Sequence, residues 1–305
     1  MLIIGAGPAG LTAGLYASRA GWQAGCLERL APGGQAALTA RVENYPGFEE
    51  PVSGFELCRK MEAQARQFGA QIVQDEAVSL TPGGGRVAVK TAGGQFDAGA
   101  VIVASGARPR ELGVPGEREL RGKGVSYCAT CDGPFFRDQA VAVIGGGDSA
   151  LEEAVFLARL CSRVYLVHRR REFRGVKVLA DRALDEKKIV PVLGSVVTRI
   201  AGTESVEAVE VRSVETGAAD RLEVTGVFLY VGLLPNSEFL AGQVARDDAG
   251  YIITDEEMLT SVPGVFAAGD VRKKSLRQIS TAVGDGATAA VSAARYLDGL
   301  DTAGK

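Results

Sequence analysis

MLIIGAGPAGLTAGLYASRAG, residues 1–21, is the stretch whose reading decides the fold. Four apolar residues lead into Gly5-Ala6-Gly7-Pro8-Ala9-Gly10, and a helix-forming run follows. That order is strand, glycine turn, helix. Glu28 closes the next apolar run, 21 residues after Gly7. Glycines at this spacing let the backbone approach a pyrophosphate at a helix N-terminus, and the acid accepts hydrogen bonds from ribose hydroxyls. The strand before, the helix after and the acid in place turn a weak pattern into a dinucleotide fingerprint.

The pattern returns in AVAVIGGGDSALEEAVFLARL, residues 140–160. Gly145, Gly147 and Ala150 repeat Gly5, Gly7 and Gly10 at a constant offset of 140 residues, with Asp148 and Ser149 in place of Pro8 and Ala9. The same offset carries Glu28 onto His168, followed by Arg169, Arg170, Arg171 and Arg174. A carboxylate repels a 2′-phosphate, whereas arginine forks grip one. The first site is therefore expected to hold FAD, whose adenosine ribose has a free 2′-hydroxyl, and the second NADPH. The plain alternative for the basic run is a solvated or nucleic-acid-binding patch, which its register with the glycines disfavours. His168 is assigned a supporting place on the adenosine side, beside Arg169, Arg170 and Arg174.

A second duplication gives the boundaries. VIVASGARP (101–109) and VFLYVGLLP (227–235) align at an offset of 126, each a strand ending Gly-x-x-Pro. Such strands close a Rossmann-like unit. The expected fold is thus α/β, with two Rossmann-like dinucleotide-binding domains. A FAD domain formed by 1–109 plus 236–305 receives an inserted NADPH domain, 110–235, which carries the cysteine pair. The crossings near Arg108–Leu112 and Gly232–Glu238 read as a two-strand hinge. Gly106 lies at the closing strand of the FAD domain. GVFAAGDVR (264–272) reads as a later strand delivering Gly269 and Asp270 at its carboxyl end, where ligands bind in open α/β sheets. A helix expected from about Gln278 to Leu297 directs its positive end, at Arg277-Gln278-Ile279, toward the flavin. A plain turn aspartate before a core helix is the other reading of Asp270.

Composition agrees with a two-domain globular chain of 305 residues, 46% hydrophobic and 23% charged. Forty glycines occur in clusters, which mark turns or phosphate loops. A net charge of −3 gives no reason to expect nucleic acid or an anionic membrane. No apolar run approaches the ~18 residues of a membrane span, and no signal segment is seen, so the expected location is cytoplasmic.

Of five cysteines, two form YCATCDG, residues 127–133. Zinc needs about four ligands, and one CxxC with a histidine already placed elsewhere does not supply them; no metal is expected. Cys26, Cys58 and Cys161 read as small buried hydrophobes, with Cys58 on an amphipathic stripe Phe55, Cys58, Met61, Ala65, Phe68. The remaining chemistry for Cys128 and Cys131 is dithiol-disulfide exchange, since the spacing lets the sulfurs bond and one thiolate expel the other. Asp132 suits both a proton donor for that exchange and an ordinary Asp-Gly turn.

GAGPAG, Gly34-Gln35, VENYPG (42–47), CATCDG, GGGDSALEE, HRRREFR, FAAGD and Arg277-Gln278 follow one another in an order that resembles the low-molecular-weight thioredoxin reductases. These are the bacterial and plant type of the pyridine nucleotide-disulfide oxidoreductases. The resemblance spans nearly the whole chain, and a Cys-Ala-Thr-Cys-Asp within the NADPH domain is its most specific part. It implies that Gly34, Gln35, Asn44, Asp270, Arg277 and Gln278 join the FAD site. It also implies that Cys131 faces the flavin while Cys128 attacks a thioredoxin disulfide, and that the protein is a homodimer built through its FAD domains. One departure is the four residues before the first glycine loop, fewer than is usual in the family. The rival readings are a same-fold enzyme with another protein client or electron donor, and a dinucleotide sensor without turnover, which has no need of a CxxC.

Overall fold

The computed structural model describes residues 1–39, 42–240 and 242–303. The chain forms two compact units, Met1–Arg108 with Leu234–Lys305, and Pro109–Leu233. In the first unit, β1 (Leu2–Ile4), α1 (Pro8–Arg19), β2 (Gly25–Glu28), α2 (Gly54–Gln67) and β3 (Gln71–Gln74) are followed by a meander, β4 (Ala77–Gly83), β5 (Arg86–Thr91) and β6 (Gln95–Ala98), and then by β7 (Val101–Val103). Strand β8 (Ala107–Pro109) leads out of it. The second unit holds β9 (Val125–Ser126), a four-residue α3 (Ala129–Asp132), β10 (Ala140–Gly145), α4 (Asp148–Ala158), β11 (Arg163–His168), α5 (Lys177–Asp185) and β12 (Ile189–Leu193). It continues with a meander, β13 (Ser195–Ala201), β14 (Ala208–Ser213) and β15 (Ala219–Glu223), and with β16 (Gly226–Tyr230). Strand β17 (Leu233–Pro235) returns the chain, and β18 (Val265–Ala267) and α6 (Ile279–Ala303) complete the first unit.

The two units are built alike. In the first, a parallel sheet of order β18-β7-β1-β2-β3 is covered on both faces. Successive strand residues point to opposite sides, so Ile3, Cys26, Ile102 and Phe266 pack against α1 and α6 through Leu11, Ala13, Ala289 and Ala293. Leu2, Ile4, Val101 and Val103 face the meander through Leu80, Val87 and Val89. In the second unit the parallel order is β12-β11-β10-β16-β9. Val141, Val143, Leu166 and Phe228 meet α4 and α5, while Ala142, Ile144, Val227 and Leu229 meet the other meander. Burial on both faces explains why these strands read as unbroken apolar runs.

The unit boundaries fall one and two residues before the expected 109/110 and 235/236, inside β8 and β17, which pair as a two-stranded sheet. Two local expectations differ from the structure. Helix α6 runs to Ala303 rather than stopping at Leu297, passing through Gly299, since a glycine inside a helix costs only about 1 kcal/mol. On α2 the buried face is Leu57, Cys58 and Ala65, not the full stripe. Phe55 is 66% exposed, and Phe68 lies past the last helical residue, with the Arg19 guanidinium 5.5 Å from its ring centre.

Candidate functional site

The first glycine loop is shaped by backbone crowding. A Cβ on Gly5, which has φ +105°, would lie 2.4 Å from the Ala104 carbonyl oxygen, and one on Gly10 would lie 1.9 Å from that of Gly5. Only glycine permits this approach. Gly7 is the N-cap of α1 and no side chain caps it, with Pro8 and Ala9 opening the helix. The first-turn amides there are donors for an anion. Glu28 holds the loop from below, its carboxylate accepting the Ala6 N–H at 2.9 Å and the Leu30 N–H at 3.0 Å. The Gly33 N–H donates to Ala6 O at 2.8 Å, and Gly34 and Gln35 begin a 3-10 turn beside Gly7.

Distant segments of the same unit meet one another, and one of them reaches this loop. Asn44 Nδ2 donates to Gln278 Oε1 at 3.0 Å across 234 residues of sequence. Gly106, at φ +66°, accepts the Asn236 N–H at 2.9 Å. Gly269, at φ +76°, stands where a Cβ would come within 2.9 Å of the Ala9 methyl. Asp270 Oδ1 and Arg277 Nε are buried with no hydrogen-bond partner. Burial raises the Asp270 pKa above its ordinary value, with Lys274 and Arg277 opposing the shift and Asp285 adding to it. Ile279 starts α6.

Sequence reading missed what supports Asp270. Asp285 accepts the Gly269 N–H at 3.0 Å, binds Lys274 at 2.9 Å and binds Arg272 at 3.2 Å. The signal was the single charged residue, Asp285, in the first half of α6. Tyr251, with the Arg277 guanidinium carbon 4.1 Å from its ring centre, gave no signal at all.

The second loop differs in ways that its sequence changes explain. A Cβ on Gly145 would meet Tyr230 O at 2.5 Å, and the third position carries alanine because Ala150 fits there. Gly147 caps α4 without a side-chain bond, and a Cβ on it would meet nothing within 4 Å. Ser149 is exposed in the first turn. Asp148 turns toward the chain itself, accepting the Val176 N–H at 2.7 Å. With the Arg174 N–H on Gly146 O at 2.6 Å, this fastens the basic segment to the glycine loop.

His168 ends β11 buried, stacked on Phe173, with its Nε2 unpartnered. Burial first, then the charges of Arg174, Arg170 and Arg169, lower its pKa and keep it neutral. Arg171 pairs with Glu215. Arg169, Arg170 and Arg174 are exposed and pair with no carboxylate among the described residues.

Cys128 is disulfide-bonded, whereas Cys26, Cys58 and Cys161 are free and buried. Burial pushes their thiols up to about 12, about 11 and about 11 respectively, so they are inert as nucleophiles. Cys131 lies in α3, but its side chain is outside the described residues. The turn is anchored on several sides. The Cys128 N–H donates to Ser126 Oγ at 3.0 Å, the Asp132 N–H to Cys128 O at 3.1 Å, and the Ala129 N–H to the Tyr230 phenol oxygen at 2.9 Å. Tyr127 donates its hydroxyl to the buried Glu117 at 2.6 Å. Neither Glu117 nor Tyr230 was legible as part of this turn. The described residues include no cluster of three His, Cys, Asp or Glu side chains able to hold a metal ion.

A unit with a disulfide-bonded CxxC turn and one glycine loop, in a chain with a second such loop, defines a class. The pyridine nucleotide-disulphide oxidoreductase family matches residues 1–286, and the chain belongs to that family. Among individual relatives, it is 46% identical over 300 residues to the thioredoxin reductase of Treponema pallidum (strain Nichols), covering 98% of this chain and 97% of that protein. The crystal structure of Lactococcus lactis thioredoxin reductase superposes with a TM-score of 0.94 at 44% identity, covering 97% of each chain. That of T. acidophilum thioredoxin reductase gives 0.93 at 36% identity, covering 98% of each.

Proposed function

We propose that this protein is an NADPH-dependent flavoprotein that reduces the disulfide of thioredoxin. The observation that carries the reading is the pairing, in one unit, of a disulfide-bonded CxxC turn with a dinucleotide loop whose ribose acid is replaced by His168 and free arginines. Unpartnered buried polar atoms support the fit of both cofactors. Asp270 Oδ1 and Arg277 Nε suit the hydroxyl and carbonyl groups of FAD, and His168 Nε2 suits the adenosine end of NADPH. Bound FAD supplies a two-electron relay between NADPH and the disulfide.

The chain's own residues do the rest. Gly5, Gly7, Pro8, Ala9 and Gly10 offer amides to the FAD pyrophosphate and Glu28 takes the ribose. Gly34, Gln35, Asn44, Gly106, Gly269, Asp270, Arg277, Gln278 and Ile279 hold the remainder. Gly145, Gly147, Asp148, Ser149 and Ala150 form the NADPH loop, with His168, Arg169, Arg170 and Arg174 on the adenosine phosphate. Cys128 attacks thioredoxin, Cys131 would be the sulfur facing bound FAD, and Asp132 carries the proton that the exchange requires. A homodimer through the first unit and a cytoplasmic setting, where a disulfide of this kind is catalytic rather than structural, belong to the same reading. No helix of the described residues is long and apolar enough to cross a membrane.

The test is insulin reduction driven by NADPH, with and without thioredoxin, in the parent protein and in Cys128→Ser. Activity that requires both thioredoxin and Cys128 is expected. Equal activity without thioredoxin, or turnover surviving Cys128→Ser, would overturn the proposal, as would reduction supported by ferredoxin but not by NADPH.

A further inference from the structure

Asp285, in the first half of α6, gathers donors from three residues on one buried carboxylate. Its Oδ2 accepts the Gly269 N–H at 3.0 Å and the Lys274 ammonium at 2.9 Å, and its Oδ1 the Arg272 guanidinium at 3.2 Å. Gly286, the next residue, presses on the first glycine motif, where a Cβ would come within 2.2 Å of Ala9 O. The carboxylate therefore has a fixed place beside the Gly269–Asp270 peptide.

Its two cations are held differently. Arg272 has a second anchor, its Nε donating to Thr254 Oγ1 at 2.9 Å. Lys274 has a side chain only 8% exposed and, among the described residues, pairs with no carboxylate but Asp285. Its ammonium shares one oxygen with the amide of Gly269, which brings it close to the next residue, Asp270. Asp270 Oδ1 is nonetheless buried with no hydrogen-bond partner. Burial raises the Asp270 pKa, and of the charges opposing that rise Lys274 acts more strongly than Arg277. An uncompensated buried charge is costly, so an ammonium released by one carboxylate turns to another within reach. Two carboxylates thus compete for one amine, and Asp285 holds it.

We propose that Asp285 is a positioning residue for FAD: by holding Lys274, it leaves the Asp270 carboxylate open for a hydroxyl of the bound cofactor. The inference rests on the FAD site proposed above. Dilution of the FAD-loaded protein, read by the fluorescence of released flavin, gives a dissociation constant for each variant. Asp285→Asn keeps an acceptor for the Gly269 N–H but frees the ammonium to close on Asp270, and should weaken FAD about tenfold. Adding Lys274→Met to Asp285→Asn removes the freed amine and should return the constant to within about threefold of the parent. Lys274→Met alone removes an amine that Asp285 already holds, and should also stay within about threefold. Unchanged binding in Asp285→Asn, or a double variant no tighter than that single one, would overturn the inference alone. So would tenfold weakening by Lys274→Met, which would make the ammonium itself a contact of FAD; this arm decides even where Asp285→Asn does not fold. Asp270→Asn separates the two readings. FAD binding unaffected there would overturn the assignment of Asp270 to FAD, and this inference with it.

Discussion

Arg169 and Arg171 stand two residues apart with opposite fates. Arg171 is held by Glu215, while Arg169 and Arg170 meet no carboxylate and lower the His168 pKa together with Arg174. Free guanidinium groups around a neutral buried imidazole suit a phosphate. Replacing both Arg169 and Arg170 by alanine should raise the NADPH Michaelis constant about ten- to a hundredfold and leave that for NADH nearly unchanged. Arg171→Ala breaks only a surface pair and should change neither. Steady-state kinetics with both coenzymes decide this, and equal losses for the two would refute the phosphate assignment. Asp270 carries a second prediction. Its folded pKa is raised above the ordinary 3.8, so its contribution to stability is full below that value and is lost as pH rises through the folded pKa. At neutral pH the buried carboxylate thus burdens the FAD-free protein. Asp270→Asn should stabilise that form at neutral pH, flatten its melting temperature between weakly acidic and neutral pH, and weaken FAD about ten- to a hundredfold. Melting of stripped protein against pH, with fluorescence titration of FAD, measures both signs.

Individual elements were legible to different degrees. The two strand-turn-helix motifs could be read because glycine spacing, apolar runs and helix formers are local signals. The structure adds a distinction within the motif, namely which glycines serve the protein and which serve a ligand. Gly10 is locked against Gly5, so a side chain there breaks the loop itself. Gly147 faces open space, so Gly147→Ala should leave the melting temperature within about 1 °C, yet raise the NADPH Michaelis constant about tenfold by standing where a pyrophosphate approaches. A fall in melting temperature with unchanged kinetics would show the glycine to be structural. The end of α6 and the face of α2 were read less well, because a glycine inside a helix and an exposed phenylalanine are both tolerated when the rest of the element is packed.

At the scale of the whole molecule, the repeat was visible because both units solve one problem the same way. Each buries a parallel sheet between helices and a three-stranded meander, so each needs the same order of apolar strands. Strand β8 leaves the first unit and β17 returns to it. Sequence by itself determined the class of fold, the two strand-glycine-helix loops, the exchange of an acid for a basic cluster, and the CxxC, because each is written within a few neighbouring residues. Tertiary structure alone decided the partners that those residues meet. Asp285 beneath Gly269, Glu117 on Tyr127 and Tyr230 on Ala129 come from segments 16, 10 and 101 residues away. A buried polar group takes whichever partner the packing brings within 3 Å, and that distance has no counterpart in the order of residues along the chain.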